Sequence, residues 1–198
     1  MIRTYKLIYL ALLTAIVLAG LFFLVLLKQE TNAKKLPILG EVSNFNLIDT
    51  QEKQFTLQKL KGKIWVVDFM FTTCGNICPM LTKNMAALHR SFFSVDSVEM
   101  ISISVNPEND SPFVLREFAK RYHADTKKWH FLTGSRAEIQ NLTVKSFKIG
   151  SWEDPIFHSD QFVLVDAKSR IRGYYAGTEQ KKINTLFKDI AALMKEKE

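Results

Sequence analysis

Cysteine is scarce in this sequence. Two occur in 198 residues, Cys74 and Cys78, so a structural zinc site built on four thiolates is excluded. Long basic tracts are missing too. The formal net charge is +7, yet no run of Lys or Arg exceeds two residues and no aromatic stripe is interleaved with the basic positions. Residues 1–35 hold +4 of that charge, which leaves +3 for the remainder, and a nucleic-acid-binding role is set aside on that distribution. There is no internal repeat and no low-complexity tract. Leu7 to Leu27 contains no charged residue, no small-residue cleavage site follows at Thr31-Asn32-Ala33, and no cysteine follows Leu18-Ala19-Gly20 to accept a lipid. No Arg- and Ser-rich transit peptide precedes the segment either.

A charge-free stretch of this length is enough for a membrane-spanning helix. The expected organisation is a short cytoplasmic tail at 1–6, a transmembrane anchor at 7–27, a polar linker at 28–40 with Pro37 and Gly40, and a folded domain at 41–198. Basic residues flank the anchor on both sides, Arg3 and Lys6 against Lys28, Lys34 and Lys35, so charge alone does not orient it. The short N-terminal tail favours a single-pass protein of the bacterial plasma membrane with its domain on the extracytoplasmic side.

The domain is organised around residues 64–80. Ile64 to Phe71 is an apolar, β-branched and aromatic run that predicts a buried strand. The two cysteines follow, then Pro79 opens a helical pattern with Leu81, Met85 and Leu88 as its apolar stripe. Pro79 biases Cys78 away from helical angles, which predicts a helix from Pro79 and a turn over Cys74 to Cys78. A helix N-terminus favours thiolate over thiol. A thiolate there can attack a disulfide or ligate a soft metal, and the four-residue spacing is compatible with both. A structural disulfide is the plain alternative, although so short a loop is a poor entropic staple.

Further elements follow in order: a hairpin of Phe45–Ile48 and Gln54–Leu57, a buried strand Val98–Val105, a helix Phe113–Tyr122, a strand Trp129–Leu132, a helix Arg136–Phe147, a hairpin of Phe162–Val165 and Ile171–Tyr175, and an amphipathic helix Lys181–Lys195. Strands alternating with helices, then a terminal hairpin and helix, predict an α/β thioredoxin-like fold with an N-terminal hairpin extension, preceded by one transmembrane helix. In that fold the loop holding His158 faces the cysteine helix. Two sulfurs and an imidazole suit monovalent copper, and hold divalent copper with a further ligand.

The chain resembles the SCO/SenC family of membrane-anchored, thioredoxin-like copper proteins. The resemblance rests on Cys74-Gly75-Asn76-Ile77-Cys78-Pro79, on Ser104-Val105-Asn106-Pro107-Glu108-Asn109-Asp110-Ser111-Pro112, on Leu132-Thr133-Gly134-Ser135, and on His158-Ser159 ahead of Leu164-Val165-Asp166. It implies copper, Cu(I) or Cu(II), held by Cys74, Cys78 and His158. It implies a metallochaperone that matures the binuclear copper centre of cytochrome c oxidase, with the oxidase's copper-centre subunit as partner. The alternative it implies is a thiol–disulfide oxidoreductase that uses Cys74 and Cys78 to reduce that centre's cysteines or those of other envelope proteins, served by another copper chaperone or a thioredoxin-like reductant. Asn106 stands where members usually have aspartate, and Gly75-Asn76 replaces a commoner Pro-Asp pair. A peroxiredoxin-like reaction finds Thr73 beside Cys74 but no evidently placed arginine.

Overall fold

The computed structural model describes residues 12–23, 35–75, 77–153 and 159–196. The chain divides into two compact units, residues 1–35 and Leu36–Glu198. In the first, residues 12–23 form a helix whose large apolar side chains are exposed. Among the described residues no helix is long and apolar enough to cross a membrane. The expected span of 7–27 is described only over residues 12–23, and its ends lie outside the described residues.

The second unit is built on one eight-stranded sheet of order β1-β8-β7-β4-β5-β6-β2-β3. The strands are β1 (Gly40–Glu41), β2 (Asn46–Asp49), β3 (Gln54–Thr56), β4 (Ile64–Met70), β5 (Val98–Ser104), β6 (Trp129–Thr133), β7 (Gln161–Val165) and β8 (Arg170–Ala176). The helices are α1 (Cys78–Phe92), α2 (Pro112–Arg121), α3 (Arg136–Asn141) and α4 (Gln180–Lys195). β4, β5 and β6 run parallel, while β7 joins β4 antiparallel and β8 joins β7. The expected hairpin β2–β3 extends the sheet from β6. This is the thioredoxin-like α/β layer arrangement.

All seven residues of β4 are buried, because both faces of the sheet are covered. Val66 and Met70 pack on one face with Leu81, Met85 and Leu88 of α1, Leu115 and Phe118 of α2, and Ile183, Leu186 and Ile190 of α4. Trp65, Val67 and Phe69 face the other way, against the N-terminal hairpin and the segment after α3. Burying each such aliphatic or aromatic side chain contributes roughly 1.5–3 kcal/mol, so the site at the end of β4 stands on the most densely covered strand of the fold.

Three local departures from the sequence reading have physical causes. The helix after the cysteines begins at Cys78 rather than Pro79. A proline in the first turn loses no bond, since those N–H groups have no intrahelical partner, and burying Cys78 in the core outweighs the bias against helical angles. The helix expected over Arg136–Phe147 is α-helical only to Asn141 and widens to a π turn at Leu142–Ser146. Phe147 N–H bonds to Leu142 C=O at 2.9 Å, and the wide turn delivers the Phe147 ring against Phe69 and Trp65, with centroids 5.2 and 6.1 Å away. In β8, Leu164 faces Gly173 and Val165 faces Ile171, so Arg172 is the extra residue of a bulge.

Candidate metal centre

The site forms where β4 ends. Phe71 to Cys74 make a turn closed by Cys74 N–H to Phe71 C=O at 3.2 Å. Cys74 is half-buried there, and Cys78 is 2% exposed as the first residue of α1. Both are thiols without a disulfide. Their side chains are hydrogen-bonded to each other, and burial together with that bond pushes the Cys78 thiol up to about 12. The charges of Cys74 and Asp68 add to the rise, and a backbone hydrogen bond at Phe71 opposes it.

The expectation that a helix N-terminus favours thiolate is thus overturned at Cys78. Loss of solvent costs a thiolate more than the helix dipole returns. The pair is consequently asymmetric, with a reachable sulfur at Cys74 and a protonated, covered one at Cys78. Two juxtaposed soft donors, both free of a disulfide, fit a soft metal ion. Loading the pair releases the thiol protons.

His158 lies outside the described residues, as do residues 154–157 before it. Its neighbour Ser159 is buried, and its hydroxyl accepts from Gln161 N–H at 3.1 Å. Ser159, Asp160 and Gln161 line an open groove of about 900 Å³ whose wall includes Ile77, between the two cysteines, together with Ile149 and Tyr174. The segment that follows His158 and the turn between the cysteines therefore open onto the same space. Among the described residues no three His, Cys, Asp or Glu side chains converge as a metal site. Of the three other histidines, His89 is buried on α1 against Trp129, His130 pairs with Glu99 at 2.8 Å, and His123 lies in the turn that follows α2, its backbone N–H bonded to Lys120 C=O at 3.0 Å.

Two carboxylates near the site were not singled out in the sequence. Asp68 interrupts the apolar run of β4, is 1% exposed, and accepts from Ser102 Oγ at 2.6 Å. Its lone charge inside a buried strand was the available signal. Asp110 is fully buried and reaches the cysteine turn through Thr72. It sits inside the quoted Asn106–Pro112 segment, but nothing local says where its side chain goes.

Fold and site together define a thioredoxin-like protein with a dithiol at the junction of a buried strand and a helix. The SCO1/SenC family model matches residues 37–195. The chain is 36% identical over 178 residues to the SCO1 protein homolog of Bacillus subtilis (strain 168), covering 87% of this chain and 92% of that protein. It therefore belongs to the SCO1/SenC family. Among solved structures, BsSco, a member of the Sco family of cytochrome c oxidase assembly proteins with an identified disulfide switch, is 33% identical with a TM-score of 0.73, covering 83% of this chain and 99% of that one. Copper-bound ScoI of Arabidopsis thaliana, 24% identical with a TM-score of 0.63 over 79% of this chain and 100% of that one, shares the fold.

Proposed function

We propose that this protein binds one copper ion through Cys74, Cys78 and His158 and delivers it to the copper-centre subunit of cytochrome c oxidase during assembly. The observation that carries the reading is the contact between the two thiols at the start of α1, one covered and one half-exposed. Two sulfurs and one imidazole hold monovalent copper and, with a further ligand, divalent copper. The half-exposed Cys74 leaves a side from which a partner's donor can displace a ligand. The groove shared by Ile77 and Ser159 supports His158 as the third ligand. The family's solved members, one with copper bound and one described as an oxidase assembly protein, support copper as cargo and the oxidase as recipient. An anchor at residues 7–27 in the bacterial plasma membrane, with the domain on the extracytoplasmic side, would hold the site near a membrane-bound recipient.

The burial asymmetry also favours a second reading, disulfide exchange. Cys74 thiolate would attack a substrate disulfide, breaking its S–S bond and releasing one substrate thiol. Cys78 would then attack Cys74, releasing the second substrate thiol and leaving the Cys74–Cys78 pair oxidised. A thioredoxin-like reductant would restore the dithiol.

Competition of the reduced full-length chain, in detergent, against a Cu(I) chelator separates the two. The metallochaperone reading expects one ion per chain and a large loss of affinity in His158→Ala. It also expects a partner oxidase fragment to withdraw the ion. Wild-type affinity in His158→Ala would remove the ligand assignment. Exchange intact in His158→Ala and abolished in Cys74→Ser, without copper uptake by wild type, would favour the oxidoreductase.

A further inference from the structure

The turn that carries Cys74 is held by a residue from a different loop. Thr72 donates its backbone N–H to Asp110 Oδ2 at 3.0 Å and its hydroxyl to Asp110 Oδ1 at 2.5 Å. Ser104 Oγ, at the end of β5, donates to Asp110 Oδ2 at 2.6 Å. That hydroxyl in turn accepts from Asn106 N–H at 3.1 Å, and Asn106 C=O accepts from Asp110 N–H at 3.0 Å. Val105 N–H meanwhile bonds Met70 C=O at 2.9 Å, so the two loops leave the sheet side by side. Both oxygens of a fully buried carboxylate are thus engaged by neutral donors.

A buried carboxylate is a costly way to close a loop. Thr72 is only half-buried, and water could satisfy its N–H. What the carboxylate adds is a two-point grip on one residue, the second position of the Phe71–Cys74 turn. Holding the Thr72 N–H fixes the Phe71–Thr72 peptide plane, whose carbonyl accepts from Cys74 N–H, and holding the hydroxyl fixes the Thr72 side chain. Groups that orient ligating residues from behind alter metal affinity by about 10–100-fold when removed. The same restraint raises the effective concentration of one sulfur at the other.

We propose that Asp110 is a positioning residue for the dithiol: by clamping Thr72 it holds the Cys74 sulfur opposite Cys78, for metal and for disulfide closure alike. The metal half of this inference rests on the copper reading above. The disulfide half does not.

Four full-length variants test it: Asp110→Asn, Thr72→Val, Thr72→Ser and the double Asp110→Asn/Thr72→Val. Two quantities are read. One is Cu(I) affinity by chelator competition. The other, in metal-free protein, is the equilibrium in which the dithiol and one oxidised glutathione give the disulfide and two glutathione thiols. Asp110→Asn and Thr72→Val are expected to weaken copper binding by about tenfold and to shift the glutathione equilibrium toward the dithiol. Thr72→Ser, which keeps both donors, is expected to match wild type, and the double variant to be no worse than Asp110→Asn. Thr72→Val keeps the shape of threonine and reports even if Asp110→Asn fails to fold. Wild-type values of both quantities in folded Thr72→Val, or equal losses in Thr72→Ser and Thr72→Val, would overturn the proposal. If wild type takes up no copper, the copper reading fails and the glutathione equilibrium still decides this one.

Discussion

Ser102 Oγ donates to Asp68 Oδ1 at 2.6 Å while Asp68 Oδ2, also buried, has no hydrogen-bond partner among the described residues. Trp129 Nε1 donates to the same Ser102 hydroxyl at 2.9 Å, so a polar chain crosses three strands of an apolar core. Burial raises the Asp68 carboxyl to about 7, with the Ser102 hydrogen bond pulling the other way. In the unfolded chain the same group ionises near its ordinary value. The folded state therefore binds the proton more tightly, and stability falls as pH rises from about 4 to about 7.

Asp68→Asn keeps the bond from Ser102 and removes the charge. Chemical denaturation at pH 4 should give nearly equal stabilities for Asp68→Asn and wild type. At pH 8 the variant should be the more stable, by roughly 3–4 kcal/mol at most. A difference independent of pH would mean that Asp68 is not neutral in the fold at low pH.

Arg172 predicts the opposite kind of effect. Its guanidinium is almost fully buried at the β8 bulge and bonds Asp166 Oδ2 at 2.8 Å, Glu196 Oε2 at 2.9 Å, and the carbonyls of Leu36 and Pro37 at 2.7 and 3.0 Å. One side chain thus ties the start of the domain to the end of α4 and to the β7–β8 turn. Burial alone would raise the Asp166 carboxyl, but hydrogen bonds from Arg170 and Arg172 outweigh it and hold it low. Arg172→Met should cost about 1–3 kcal/mol at pH 7, because the carbonyls of Leu36 and Pro37 and the Glu196 carboxylate lose their donor and the Asp166 carboxylate keeps only its bonds from Arg170 and the Lys168 N–H. Since the Asp166 contribution is present above its unfolded value and lost as pH falls through its folded one, the deficit should shrink toward acid pH. A Tm unchanged by the substitution would contradict this account.

The two thiols should differ in reactivity. Cys78 is covered and its thiol is pushed up to about 12, so it is protonated at pH 8. Brief alkylation of the reduced chain at pH 8, followed by peptide mapping, should label Cys74 at least about tenfold faster. Equal labelling would remove the asymmetry on which the assignment of attacking and resolving roles depends.

Much of this was legible in the sequence. The buried strand at Ile64, the helix with Leu81, Met85 and Leu88, and the terminal hairpin and helix all follow from periodicity, which burial enforces. So does the cysteine pair at their junction. The π turn after Asn141 was not legible, because it is selected by where Phe147 must land rather than by the residues in the turn. Thr72 and Asp110 lie 38 residues apart, and only the parallel pairing of β4 and β5 brings their loops together. The protonated state of Cys78 was hidden for a related reason. Helix position argued for a thiolate, while the burial that reverses the argument is a tertiary property.

X-ray absorption at the copper edge of the loaded full-length chain tests the central claim most directly. The account predicts two sulfur scatterers and a nitrogen one in wild type, loss of the nitrogen signal in His158→Ala, and loss of one sulfur in either Cys74→Ser or Cys78→Ser. A wild-type copper shell of nitrogen and oxygen alone, or a nitrogen signal untouched in His158→Ala, would contradict it.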